Sequence, residues 1–88
     1  MHAVVFQVDF VPGREEQAEK ELDFLTGMIK SSPGFVRATW AGDDTRGLSF
    51  LLFDTEEAAR NVADNGAMPP DASATFRSVD VYAVARDI

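Results

Sequence analysis

Few side chains in this sequence can do chemistry. The single tryptophan, Trp40, stands three residues after Arg37, and the single histidine, His2, is the second residue of the chain. An indole can stack on a flat aromatic ligand and donate one hydrogen bond. A guanidinium can steady an oxyanion or a carboxylate. An imidazole can act as a general base near neutral pH. His2, Arg37 and Trp40 are therefore the candidate catalytic residues, and each has a plainer reading beside it. Large aromatics routinely fill cores and interfaces, so Trp40 reads first as a packing residue. An arginine on an edge strand is usually solvated or paired with an acid. His2 has no sequence neighbour that would orient it.

The softer candidates are apolar. Phe6, Phe24, Met28, Trp40, Phe53 and Tyr82 could border a ligand cleft, with core packing the simpler role for the phenylalanines and Met28. Tyr82 and Asp80 lie two apart on one strand face and could pair across a dimer or touch a ligand. Gln7 and Asp9 share a face in the same way. Met68-Pro69-Pro70 could be a lid, and an ordinary loop is the simpler reading. Asp43-Asp44 reads as turn chemistry. There is no Cys, which excludes a thiol nucleophile and a thiolate metal site. One His leaves nothing to build an imidazole cluster, so no metal centre and no cofactor is expected.

These residues must be positioned by a small scaffold. The 88 residues suffice for one domain, residues 1–88. A chain of this size buries roughly 60% of its unfolded surface, so its core is thin. With disulfides excluded, a partner subunit is the natural reinforcement. The net charge of −7 and the scattered Lys and Arg argue against nucleic acid or an anionic membrane as partner. No apolar run is long enough to span a bilayer and no leader is apparent, so a cytoplasmic location is expected.

The apolar pattern predicts six elements. His2 to Val11 alternates as a strand, with His2, Val4, Phe6, Val8 and Phe10 on one face. Pro12-Gly13 ends it. A helix follows from Arg14 to Lys30, with Ala18, Leu22, Leu25 and Ile29 as its inward stripe. Ser32-Pro33-Gly34 stops it. A hairpin from Phe35 to Phe53 turns at Asp43 to Arg46, with Gly42 and Gly47 expected to supply φ > 0. On its first strand Phe35, Arg37 and Thr39 share one face, and Val36, Ala38 and Trp40 the other. Its second strand is apolar on both sides, the pattern of burial on both faces. Asp54 with Glu57 reads as a capping box opening a second helix, which ends at Asn65-Gly66. Phe76 to Arg86 is the last strand, with Phe76, Ser78, Asp80, Tyr82 and Val84 on one face.

The order β-α-β-β-α-β predicts an α+β, ferredoxin-like fold: a four-stranded antiparallel sheet with two helices on one face. The uncovered face cannot be wholly polar under any assignment of the strands. Such a patch marks an interaction site. The expected occupant is a second copy, the two sheets stacking about 10 Å apart as a homodimer.

Val11-Pro12-Gly13, Ser32-Pro33-Gly34-Phe35 and Phe53-Asp54-Thr55-Glu56-Glu57-Ala58-Ala59 resemble the punctuation of the dimeric α/β-barrel superfamily, and within it the antibiotic biosynthesis monooxygenase-like (ABM-like) domains. Asp44-Thr45-Arg46-Gly47-Leu48-Ser49 also looks like the segment found in small actinobacterial members of unassigned function. The resemblance covers nearly all the chain. It implies a homodimer with a cleft between helices and sheet in each subunit. Some members oxidise aromatic polyketides with O₂ and no prosthetic group, others degrade haem, and others only bind ligands. The haem-degrading members carry an Asn on the first strand, a Trp at the exit of the third and a His on the second helix. Here the corresponding positions hold Phe6 and Phe53, and the second helix has no His.

Two functions follow as expectations. One is a cofactor-independent monooxygenase acting on a small aromatic molecule. The alternative is a non-catalytic module for small-ligand binding or assembly.

Overall fold

The computed structural model describes residues 1–66 and 71–88. Its elements are β1 (His2–Phe10), α1 (Glu15–Lys30), β2 (Phe35–Gly42), β3 (Arg46–Phe53), α2 (Glu56–Asn65) and β4 (Ala74–Ala83). The strands pair antiparallel in the order β2-β3-β1-β4. This is the expected ferredoxin-like arrangement. β3 and β1 are the inner strands, and β3 is buried on both faces only over its last residues, Leu51, Leu52 and Phe53; its hairpin end is more exposed. The Met68-Pro69-Pro70 segment lies outside the described residues.

The main core lies on the helix-bearing face. Val4, Phe6, Leu51, Phe53 and Ala59 form its centre, with Ile29 of α1 and Ala58, Val62 and Ala63 of α2 packed against it. Small side chains let α2 sit close, and Ala59 is fully buried.

Both edge strands carry an irregularity that alternation alone does not foresee. On β2, Phe35 pairs with Phe53 and Arg37 with Leu52, so Val36 is the extra residue of a bulge. Phe35 thereby joins Ala38 and Trp40 on the helix face, where it meets Phe53 edge-on at 6.2 Å. This corrects the expected grouping of Phe35 with Arg37. On β4, Ser78 pairs with Gln7 and Phe76 with Val8, leaving Arg77 extra. Phe76 therefore shares a face with Val79 and Val81, and is parted from Ser78, Asp80 and Tyr82.

Local details also differ from the sequence expectation. Thr55, not Asp54, caps α2: its side chain accepts the Ala58 N–H at 3.1 Å. Asp54 sits against Gly34 instead and donates its backbone N–H to the Gly34 carbonyl at 2.9 Å. Gly34 has φ +80, and a Cβ there would lie 2.5 Å from Asp54 Oδ1. In the hairpin, Gly42 and Gly47 do not have positive φ. They are glycines for want of room: a Cβ on Gly47 would lie 2.6 Å from the Phe10 ring. The turn is held by Asp43, whose Oδ1 accepts the N–H groups of Thr45 and Arg46 at 2.9 and 2.8 Å. Gly66 ends α2 in an extended conformation. The last strand begins at Ala74 and stops at Ala83, short of Arg86.

The helix-free face is partly roofed by the chain's own end. Val84 donates to the Met1 carbonyl at 3.0 Å, and Asp87 pairs with Arg37. Arg37 is on β2, at the opposite edge of the sheet from β4. Residues 84–87 thus cross β1 and β3 at this end, where Ala3 and Leu52 are buried although no helix covers them. Towards the hairpin the same face stays open, and Leu48 is 41% exposed.

Candidate functional site

The ladder decides which candidates meet. Phe6 pairs with Ser49 and Ser49 with Trp40, so Phe6, Ser49 and Trp40 form one row on the helix face. Phe6 also stacks on Phe76 with ring centroids 5.3 Å apart. Phe10 lies on the same face beyond this row, against Gly47. Trp40 is half-buried against the core. The result is an aromatic floor running from β2 to β4.

His2 and Arg37 do not reach this floor. His2 pairs with Phe53, four residues along the ladder from Phe6. That is roughly 13 Å along the strands and a further ~10 Å across them from Trp40. The Nδ1 atom of His2 is shut from water, with no hydrogen-bond partner among the described residues. Arg37 pairs with Leu52 on the opposite face of the sheet from Trp40. It is bonded to Asp87, and its guanidinium lies 6.0 Å from the Phe50 ring centroid. The three catalytic candidates are therefore dispersed.

The remaining candidates divide in the same way. Phe53 is 0% exposed and Phe6 is buried with it, so both fill the core. Phe24 and Met28 stand out on α1, 69% and 54% exposed. Tyr82 and Asp80 lie on the helix-free face, opposite Ala3 and Val5. Gln7 shares that face, as does Asp9, which pairs with Arg77 at 2.8 Å.

Helix α1 bounds the floor without closing on it. None of its 16 residues is buried, and only Ile29 packs on the core. Leu22 and Leu25, expected to be inward, stay more than a third exposed. The helix is instead held by polar groups. Arg14 Nη1 donates to the carbonyls of Asp71 and Ala72 at 2.7 and 3.0 Å. Gln17 donates to the Asp71 carbonyl at 2.7 Å and to Glu21 at 3.0 Å. The Glu21 carboxylate accepts the Ser73 hydroxyl at 2.6 Å and the Ser73 N–H at 2.9 Å. These bonds from Ser73, hydroxyl first, hold the Glu21 carboxyl below its ordinary range. The clamp was not foreseen. The available sign was an acid at position 21, beside the apolar stripe of Ala18, Leu22 and Leu25.

Open hollows dent the described surface. One, of about 390 Å³, lies at the start of α1 along Gly13, Arg14 and Lys20. Another, of about 370 Å³, lies at the hairpin end beside Gln7, Arg46 and Leu48. Neither is lined by His2, Arg37 or Trp40. Among the described residues no three His, Asp or Glu side chains gather to hold a metal ion, and no helix is long and apolar enough to cross a membrane.

No family model matches the sequence, and no curated protein matches it significantly. Solved structures do. A point mutant of MhuD with two manganese protoporphyrin IX molecules bound per active site superimposes with a TM-score of 0.75 at 16% identity, over 100% of this chain and 98% of that one. The haem degrader MhuD from Mycobacterium tuberculosis, with two haems in its active site, gives 0.74 at 16% identity over 100% and 99%. A haem-free structure of the heme-degrading protein from the same organism gives 0.67 at 23% identity over 100% and 96%. The chain has the MhuD fold. At these identities the likeness establishes architecture, and site chemistry must be read from the chain's own residues. Within the MhuD fold, this chain combines an aromatic floor at Phe6, Trp40 and Phe76 with a lightly packed α1 above the β2 side of the sheet. It has no histidine on α2.

Proposed function

We propose that this chain is a homodimeric protein of the ABM-like monooxygenase fold that takes up a flat, apolar ring system between α1 and the sheet. The observation that carries the reading is α1 itself. A 16-residue helix whose Leu22 and Leu25 stay more than a third exposed stands above β2, the strand that carries Trp40, and is packed loosely enough to admit a planar guest. The likeness to haem-binding neighbours supports the same class of ligand. The neutral, aromatic lining favours stacking over charge.

For haem as a substrate, the residues present offer the ring a place and the iron no partner: α2 lacks His, and His2 is far from Trp40. Recognition would therefore rest on the macrocycle. For an electron-rich aromatic substrate, cofactor-independent oxidation is the natural chemistry. An activated ring methylene gives up two hydrogens and receives one oxygen atom, so that CH₂ and O₂ become C=O and H₂O. The chain would contribute desolvation and placement. A second reading, a ligand-binding module without catalysis, is favoured by the dispersal of His2, Arg37 and Trp40.

Titration with haemin and with metal-free protoporphyrin IX tests the binding reading. Both should quench Trp40 fluorescence with affinities within about a factor of ten of each other, a gap of about 1.4 kcal/mol. Trp40→Phe in the same titration, followed by ligand absorbance, should retain binding. No change in fluorescence or absorbance with either ligand would refute it. Oxygen uptake with an anthrone-type substrate then separates the enzyme from the binding module.

For the dimer, the open end of the helix-free face offers Leu48 and Phe50 to a second copy. Apolar burial there at about 25 cal/mol per Å² would reinforce a thin core.

A further inference from the structure

We infer that α1 is a hinged flap and that Glu21 and Ser73 form its latch. The two ends of the helix are attached differently. At the C-terminal end Ile29 packs on the core, Phe35 N–H bonds the Ser32 carbonyl at 3.2 Å, and Gly34 is wedged against Asp54 and Ala58. That end is bolted to the sheet. At the N-terminal end the joint is Gly13, with φ +82 and nothing within 4 Å of where a Cβ would be. No apolar side chain of this half is buried. What holds it is the group of bonds to residues 71–73, and the Glu21 carboxylate with both donors of Ser73 is its centre.

Ser73 is the fixed side of the latch. It is 4% exposed, and its carbonyl accepts the Val11 N–H at 2.7 Å, tying it to the end of β1. The flap can therefore leave while the sheet stays whole. Its departure exposes less apolar surface than the loss of a fully packed helix would, because Leu22 and Leu25 already keep more than a third of their surface exposed. A polar latch breaks and re-forms at lower cost than a packed apolar face, which suits a helix that must admit a flat guest. That last use rests on the ring-binding reading. The latch itself does not.

Hydrogen exchange of the ligand-free protein separates the two. In Glu21→Ala, amides of residues 17–25 should exchange about tenfold faster, with β1 and β3 amides unchanged. Ser73→Ala, which removes the hydroxyl alone, should give the same local pattern at a smaller factor. A uniform rise across the chain in both variants, global unfolding of both, or no change in α1 would overturn the latch. Ring binding is not part of the readout, so its absence leaves this result standing.

Discussion

The rings of Phe6 and Phe76 stack across β1 and β4 with centroids 5.3 Å apart and planes inclined at 26°. They meet only because Arg77 is an extra residue in β4. An unbroken alternation would send Phe76 to the face that carries Ser78 and Tyr82. The bulge thus converts a sheet-face residue into part of the aromatic floor. Arg77 itself is turned towards Asp9, which holds the guanidinium more basic than usual.

Truncating the two rings should have unequal effects. Phe6 is buried beneath Gly66 at the end of α2, so Phe6→Ala should cost about 3–5 kcal/mol. A chain of this size has roughly 0.05–0.15 kcal/mol of stability per residue to lose, so that variant should give up a large share of it. Phe76 is 36% exposed, and Phe76→Ala should cost about half as much. Urea denaturation followed by circular dichroism gives both values.

Gly13 and Gly34 share a left-handed backbone and differ in surroundings. Gly13→Ala pays for the backbone alone, about 1–2 kcal/mol. Gly34→Ala must also displace Asp54 Oδ1 and the Ala58 methyl, 2.5 and 2.8 Å from the new Cβ, and should cost at least about 1 kcal/mol more. Equal melting temperatures for the two variants would contradict the wedge.

The latch predicts an acid response. The Glu21 carboxyl titrates below its ordinary value of 4.5 in the folded chain. Its contribution is therefore fully present above that value and is lost as pH falls through the lower folded-state value. Glu21→Gln should be less stable than the parent at neutral pH, and the difference should shrink as pH falls below 4.5. Denaturant midpoints measured along that range would show a constant gap if Glu21 did not contribute.

A charge on the open end of the helix-free face should abolish self-association. Leu48→Asp places a carboxylate where a second copy would seat, and dissociation should rise at least tenfold, about 1.4 kcal/mol. Phe50→Asp, further along the same strand and face, should act alike. Sedimentation equilibrium checks both, with Phe24→Asp on the outer flank of α1 as the variant expected to leave assembly unchanged.

Element order and core were legible because each rests on a repeating pattern. Period two marked β1 as a strand, the doubly apolar run marked β3 as buried, and the short side chains of α2 predicted its close seat. The edges were less legible. A bulge shifts every later side chain by one, and nothing at Val36 or Arg77 distinguishes it from an ordinary strand residue. Asp54 and Thr55 are both good caps, and the tertiary contact of Asp54 with Gly34 decided between them. For the site, Arg37 and Trp40 stand three apart on a strand, a spacing that already separates their faces. The stripe on α1 was read correctly as a face, but its depth was not. How far a helix stands off a sheet depends on side chains elsewhere, here Arg14, Gln17 and Glu21 reaching residues 71–73.

The paired irregularities at Val36 and Arg77 have one more effect. They fall on the two outermost strands, one at each border of the sheet. A border with an extra residue is twisted out of the straight, evenly spaced row of donors and acceptors that a foreign strand needs to dock. Lateral growth into fibres is therefore obstructed on both flanks, whatever the sheet's open face meets.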